Sequence, residues 1–337
     1  MNKEMNRRDF VRITAVGAGV LALGGWGVKE IVESGSAREY EETRSLLGTF
    51  ITIKLIDTET GRVEAAIDDA FAEIERLSLI LSRHDPASEL SILNNTGSVA
   101  NASPELVGVL QKATAFSDLT GGAFDVTMTP LLNLYSRSFV EGGGPPAERD
   151  IAAARELVNY RGIEIEDRDV RLATPGMKVT LDGIGKGYVV DQAAGLLKAR
   201  GLTRVMVEAG GDMSLRGMRQ DGQPWKIAVN HPRALSGYYE VLQTSNDCLA
   251  TSGDYENAFT ADYSWHHIID PRQGHSPREI ASATVVAADT AYADAMSTAA
   301  MVMGVADSLS LFEERGIQAL LVDKAMKRYV TSGFGQL

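Results

Sequence analysis

Hydrophobic and polar positions along the chain change period several times, and each change predicts an element. Residues 47–56 (LGTFITIKLI) alternate apolar and polar positions, the signature of a strand. Residues 61–84 then carry apolar positions three and four apart among charged ones, the signature of a helix. Ser103-Pro104-Glu105 reads as a helix start, the serine able to cap and the proline suited to the first turn, and Gly121-Gly122 as its end. Residues 122–135 are then a loop-led motif. The strongest breaker cluster, EGGGPPA at 141–147, predicts an exposed loop and a candidate subdomain junction before a helix at 151–160. Beyond it the pattern predicts a strand pair (163–165, 170–172), a strand (177–181), a glycine turn and a helix (187–200). Strands follow at 204–207, 225–229, 238–243, 267–269 and 282–287, helices at 291–303 and 308–314, and strands at 318–322 and 328–331. No repeat of fixed period is visible. Mixed order of this kind predicts an α+β fold rather than a doubly wound sheet.

The chain has 337 residues, 44% of them hydrophobic, enough for one large core or two closely joined subdomains. Its formal charge of −12, with no Lys/Arg cluster beyond the first dozen residues, lacks the footprint of a nucleic-acid binder. An anionic small substrate would need a bound cation or a few placed basic groups, because the overall field repels it. The single Cys248 excludes an intramolecular disulfide, and no Cys/His spacing fits a zinc site. Arg7-Arg8 with Phe10, ahead of the Gly/Ala-rich apolar run 13–28, resembles a twin-arginine (Tat) export signal with a candidate cleavage site at Gly35-Ser36-Ala37. The expected product is periplasmic or otherwise extracytoplasmic, or membrane-anchored if uncleaved, with no stable transmembrane span after processing.

Three constellations carry candidate chemistry. Gly183-Ile184-Gly185-Lys186-Gly187 sits between a predicted strand and a predicted helix, where backbone N–H groups meet phosphates, although a tight turn explains it equally well. It matches neither a dinucleotide fingerprint nor a P-loop. Asp294 and Thr298, four apart, put a carboxylate and a hydroxyl on one helix face, a set suited to Mg²⁺; solvated or capping residues are the plain alternative. His267, with Asp270 three residues on, is a candidate acid/base pair, or a strand-edge histidine beside a turn aspartate. No nucleophile motif supports a hydrolase triad.

The succession of motifs is more specific than any one of them. Leu47-Gly48-Thr49, Ser88-Glu89-Leu90-Ser91-Ile92-Leu93-Asn94, Gly121-Gly122-Ala123-Phe124-Asp125 with Pro130-Leu131, and Gly183 to Tyr188 with Asp191 come first. Ala209-Gly210-Gly211-Asp212, Ala250-Thr251-Ser252-Gly253-Asp254-Tyr255, His267-Ile268-Ile269-Asp270-Pro271 with Gly274, and Ala293-Asp294-Ala295-Met296-Ser297-Thr298-Ala299 follow. From about residue 45 onward this series resembles the ApbE family of FAD:protein FMN transferases. The resemblance implies an α+β fold of two intimately joined subdomains with an FAD cleft between them, occupying residues 38–337 behind a signal at 1–37. It implies Mg²⁺ held by Asp294, Thr298 and the Gly183 carbonyl. It implies an FAD site lined by Leu47, His84, the Ala123-Phe124-Asp125 turn, Thr180, Lys186, Gly210, Gly211, Asp212, Thr251, Ser252, Gly253, His267, Ile268 and Ser297.

The implied reaction is attack of an acceptor Thr or Ser hydroxyl on the FMN phosphorus of FAD, releasing AMP, with Lys186 drawing charge and His267, with Asp270 nearby, taking the proton. The implied acceptor is a flavoprotein subunit of an exported or membrane electron-transfer system. Two other readings stay open: an FAD pyrophosphatase giving FMN and AMP, and a non-catalytic FAD-binding assembly factor. Several positions depart from the family pattern. Leu47 replaces Met, His84 an aromatic, Thr180-Leu181-Asp182-Gly183 the commoner D-L-G-G, Glu208 an Asn, and Gln273 a Thr. These changes resemble the branch that includes exported NosX-type members.

Overall fold

The computed structural model describes residues 29–31, 37–234 and 237–335. The twin-arginine segment, the apolar run 13–28 and Gly35-Ser36 of the cleavage motif lie outside the described residues. A sheet of nine strands is the frame, in the order β1 (Lys29–Ile31), β2 (Arg38–Leu46), β3 (Thr49–Asp57), β7 (Val205–Ala209), β8 (Asp212–Arg216), β11 (Cys248–Gly253), β12 (Ile280–Ala287), β13 (Gln318–Asp323), β14 (Arg328–Val330). Every neighbouring pair is antiparallel, so the sheet is of the α+β type. β1 lies inside the segment read as a signal and forms the sheet's edge.

The two faces of the sheet bury different cores. Ile51, Ile53 and Leu55 of β3, Ala283 and Val285 of β12, and Ala319 and Leu321 of β13 face helices α1 (Thr60–Leu81), α6 (Gly185–Ala199) and α7 (Thr290–Arg315). Ile56, Val286, Leu320 and Val322 point the other way, onto a hairpin of β9 (Trp225–Asn230) and β10 (Tyr238–Thr244) anchored by Trp225. Strands covered on both faces read as apolar runs, which is why β12 is buried at all but its last position. In α1 the buried Val63, Ile67, Phe71, Ile74 and Leu77 recur at helical spacing, each such side chain contributing roughly 1.5–3 kcal/mol by leaving water. α7 is long and apolar enough to cross a membrane, but most of that stretch is buried in this core.

A smaller lobe lies beside the sheet. It contains α2 (Glu89–Thr96), α3 (Pro104–Leu119), α4 (Thr129–Gly142), α5 (Glu148–Arg155) and a three-stranded sheet of β4 (Ser98–Val99), β6 (Asp169–Leu172) and β5 (Ile163–Glu166). The α4–α5 part has its own cluster, Leu131, Tyr135, Ile151 and Ile269. Tyr135 donates to the Gly274 carbonyl at 2.8 Å. Gly274 needs its positive φ of 80° and its missing Cβ, which would stand 2.4 Å from Ile151. The glycine-rich loop at 143–147 is largely exposed, as expected, yet residues on both sides of it enter the main helical core, so the lobes are joined rather than strung together.

Three expectations change. Residues 177–181 form no strand: Lys178 makes a single bridge to Met128, Thr180 donates to Val126, and the Val179 amide is taken by the side chain of Asn94. Residues 267–269 are likewise irregular, pinned by His267 donating to the Asn257 carbonyl. The two helices expected at 291–303 and 308–314 are one helix broken at Gly304, whose φ of 82° leaves the α region. There Glu279 accepts from the Val305 amide at 3.3 Å, and a Cβ at 304 would lie 2.3 Å from that carboxylate. Just past β11, Asp254 is fully buried (0% exposed) in an ion pair with both guanidinium nitrogens of Arg233, 2.7 Å each, and with Lys324 at 3.3 Å.

Candidate active site

Helix α7 supplies the centre, and the way it is anchored sets its position. Asp289 caps it by accepting from the Tyr292 amide, and Asp191 reaches across from α6 to accept from Thr290 and Ala291 at 2.8 and 2.9 Å. α6 approaches so closely that a Cβ on Gly187 would lie 2.5 Å from the Thr290 carbonyl. This contact brings the start of α6 against the first turns of α7. The Gly187 amide donates to Asp294 at 3.2 Å. Lys186 stands 2.7 Å from Asp212 and 3.9 Å from Asp294.

Asp212 arrives from β8 through the turn Gly210-Gly211, which needs left-handed backbone at both positions (φ 62° and 100°) and lets Gly210 pack on Thr49, where a Cβ would meet the hydroxyl at 2.8 Å. Glu208, the departure from Asn, accepts from the Gly211 amide at 2.7 Å and so holds this turn. Ser252 of β11 bonds the hydroxyls of Ser297 (2.8 Å) and Thr298 (3.1 Å), and Ser297 donates to the Asp294 carbonyl. Gly183 packs closely on Thr298 and Phe124: a Cβ would stand 3.1 Å from the Thr298 hydroxyl and 3.3 Å from the Phe124 ring, tighter than an ordinary contact. Gly183, Phe124, Lys186, Asp212, Ser252, Asp294, Ser297 and Thr298 are thereby brought together.

The electrostatics follow from two buried carboxylates sharing one ammonium. Asp294 is 3% exposed; burial and then Asp212 push its carboxyl up to about 7, partly offset by Lys186 and the Gly187 amide. Burial likewise raises Asp212 against the pull of Lys186. For Lys186 burial opposes the charge, but Asp212 and Asp294 outweigh it and hold the ammonium above its ordinary value. His267 is pushed down to about 4 by burial, with His266 adding to the effect, so its ring is neutral near pH 7; among the described residues its buried Nδ1 has no hydrogen-bond partner. A chain this acidic has gathered negative charge where it also keeps a lysine and oxygen donors. That donor set, a carboxylate, a hydroxyl and a backbone carbonyl, matches the chemistry of a hard divalent cation. Among the described residues no group of three His, Cys, Asp or Glu that could hold a metal ion is found.

Other expected residues are placed differently. Asp125 spends its carboxylate inside its own turn, accepting from the Thr127 amide and hydroxyl and the Tyr160 amide. Ala123 is buried beside it. Thr251 bonds Thr284 through its hydroxyl and turns away from Ser252, as strand alternation requires, while its amide serves Asp212. Gly253 lies under the Tyr255 ring. Leu47 takes positive φ with Gly48 at the tip of the β2–β3 hairpin. Thr180 is buried and accepts from the Asp182 amide. Asp270, expected beside His267, is held by the Arg272 guanidinium at 2.9 Å through both oxygens, and among the described residues no hydrogen bond joins it to His267. Ile268 is buried and His84 is exposed at a cleft mouth.

Three neighbours went unread in the sequence. Arg83 pairs with Asp182 at 2.8 Å, and Asp182 acts electrostatically on Lys186, His267 and Asp294. Glu256, its carboxyl raised by desolvation, interacts with Lys186 and Asp212. Asn94 clamps Val179 through both its amide atoms. Only Asn94 lay in a motif, with Ser88 capping α2 and Glu89 accepting from Ser103.

Fold and centre together define an α+β protein with a buried lysine–carboxylate site. The chain belongs to the ApbE family, whose model matches residues 47–321. It is 34% identical over 307 residues to the FAD:protein FMN transferase of Vibrio cholerae, covering 86% of this chain and 89% of that one. Among solved structures it resembles the flavin transferase ApbE from Vibrio cholerae (TM-score 0.76, 30% identity, 89% and 99% of the two chains). It also resembles the ApbE protein from Thermotoga maritima (TM-score 0.78, 29% identity, 87% and 97%).

Proposed function

We propose that this protein transfers FMN from FAD to a Thr or Ser hydroxyl of an acceptor protein, releasing AMP, in a Mg²⁺-dependent reaction. The observation that carries the reading is Lys186 set between Asp212 and Asp294, beside the Gly183–Thr298 contact. Asp294, Thr298 and the Gly183 carbonyl would hold the Mg²⁺, which when bound withdraws charge from the pyrophosphate. Lys186 adds a fixed positive charge for the phosphate oxygens. Gly183 and Gly187 keep the backbone close, and buried Phe124 packs against Gly183. The acceptor oxygen bonds to the FMN phosphorus, the phosphoanhydride bond to AMP breaks, and the hydroxyl proton passes to neutral His267. Asp270 and Arg272 hold the turn that carries His267's segment.

The reading also assigns export by the twin-arginine route and an acceptor in an exported or membrane electron-transfer system. Replacing Arg7 and Arg8 by lysines should then keep the protein inside the cell.

The test incubates the full chain with FAD and Mg²⁺, with and without a flavin-accepting protein, beside Asp294→Ala. Covalent flavin on the acceptor and AMP, both lost in the variant, is the expected result. AMP and free FMN without labelling would make the protein an FAD pyrophosphatase, and FAD binding with neither product a carrier.

A further inference from the structure

We propose that the polar cleft running outward from His84 to Arg137 docks an extended acidic segment of the acceptor protein, a surface that rests on the transferase reading. The cleft has two adjoining parts that share Asn133 and Lys178. Its inner part is lined by Arg83 and His84, and Arg83 is paired with Asp182, next to Gly183. Residues 178–182 run from the cleft to the centre as irregular chain, held by the Met128 bridge and the Thr180 hydrogen bond. The path is five residues long, on the scale of a short peptide lying beside it.

The lining suits such a segment in three ways. Among the described residues Lys178 and Arg137 form no ion pair, so on a chain of charge −12 this cleft offers two uncompensated cations, against Glu141 at its outer rim. Exposed Asn95 and Asn133 make no hydrogen bond among the described residues and can satisfy a peptide's main chain, which an extended ligand needs along its length. Val140, 82% exposed, gives the outer part an apolar contact. A segment whose carboxylates meet Lys178 and Arg137 would lead its hydroxyl residue toward Gly183, and the charges would speed and select the encounter.

The test uses the full chain, Lys178→Glu and Arg137→Glu singly and together, and two dye-labelled peptides. One peptide has a single threonine flanked by aspartates and glutamates, the other by lysines. The acidic peptide should bind with an affinity that falls as salt rises, and the double variant should weaken it by about tenfold or more while melting temperature and FAD affinity stay unchanged. Equal binding of both peptides, no effect of the double variant, or FAD affinity falling in step would overturn the docking surface. AMP release from FAD and Mg²⁺ in the presence of a flavin-accepting protein is followed in parallel. Its absence from the unsubstituted protein sinks the transferase reading whatever the peptides do, and its persistence with peptide binding unaltered by charge reversal sinks only the docking surface.

Discussion

Asp294 carries a carboxylate into a place where the fold supplies one ammonium for two carboxylates. Its folded value near 7 lies above the ordinary 3.8, so the folded chain binds the proton more readily and stability falls as pH rises through that window. Asp294→Asn should therefore raise the stability of the metal-free protein at pH 8, where the parent's carboxylate is ionised in this buried place. The same variant should abolish transfer and any rise in melting temperature on adding Mg²⁺. A variant less stable than the parent without metal would contradict this account. His267 works with the opposite sign. Its folded value near 4 is below the ordinary 6.5, so the unfolded chain takes the proton first, and stability declines as pH falls from 6.5 toward 4. His267→Gln should flatten that part of the melting curve against pH; parallel curves would remove the effect from His267. The spacing of Asp294 and Thr298 and the oxygen chemistry were legible because a helix fixes both. The partnership of Asp270 with Arg272 was not, since proximity in sequence to His267 said nothing of where the carboxylate turns.

The contact between α6 and α7 is the element on which the centre depends. Gly187→Ala must push the Thr290 carbonyl away, destabilising by about 1–3 kcal/mol as overpacking does and drawing Lys186 off Asp294. Calorimetry should show the loss of stability and phosphate-oxygen binding should weaken with it; an unaltered melting temperature would mean the helices have slack. Long amphipathic stretches such as α1 were readable from their period, and the break at Gly304 appeared as a gap between two predicted helices. The short α2 and the proline-led α4 were missed, each too brief or too close to breakers to show a period. β8 and β11 were missed for another reason: small and polar residues such as Ser214 and Ser252 serve the site and its surroundings, so their strands lack the apolar alternation that marks others. Residues 177–181 show the reverse error, strand-like residues whose amides are taken by a side chain and a loop.

Across the whole molecule, the far end of β11 is tied by the buried Asp254 to Arg233 beyond β9 and Lys324 beyond β13. Asp254→Asn leaves two cations without their carboxylate and should cost about 3–5 kcal/mol, read by denaturant unfolding. A loss below about 1 kcal/mol would show the cations finding water instead. The α+β class was legible from the order of elements. The pairing of distant strands into one antiparallel sheet was not, because nothing local selects β7 as the neighbour of β3 or β8 as that of β11. That same assembly gathers Gly183, Lys186, Asp212, Ser252, Asp294 and Thr298 from separate strands, turns and helices. During synthesis, a chain stopped short of α7 would already own the glycine turn and Lys186 but neither Asp294 nor Thr298, so with the proposed cation site still unbuilt, unfinished molecules would spend no flavin before the fold is complete.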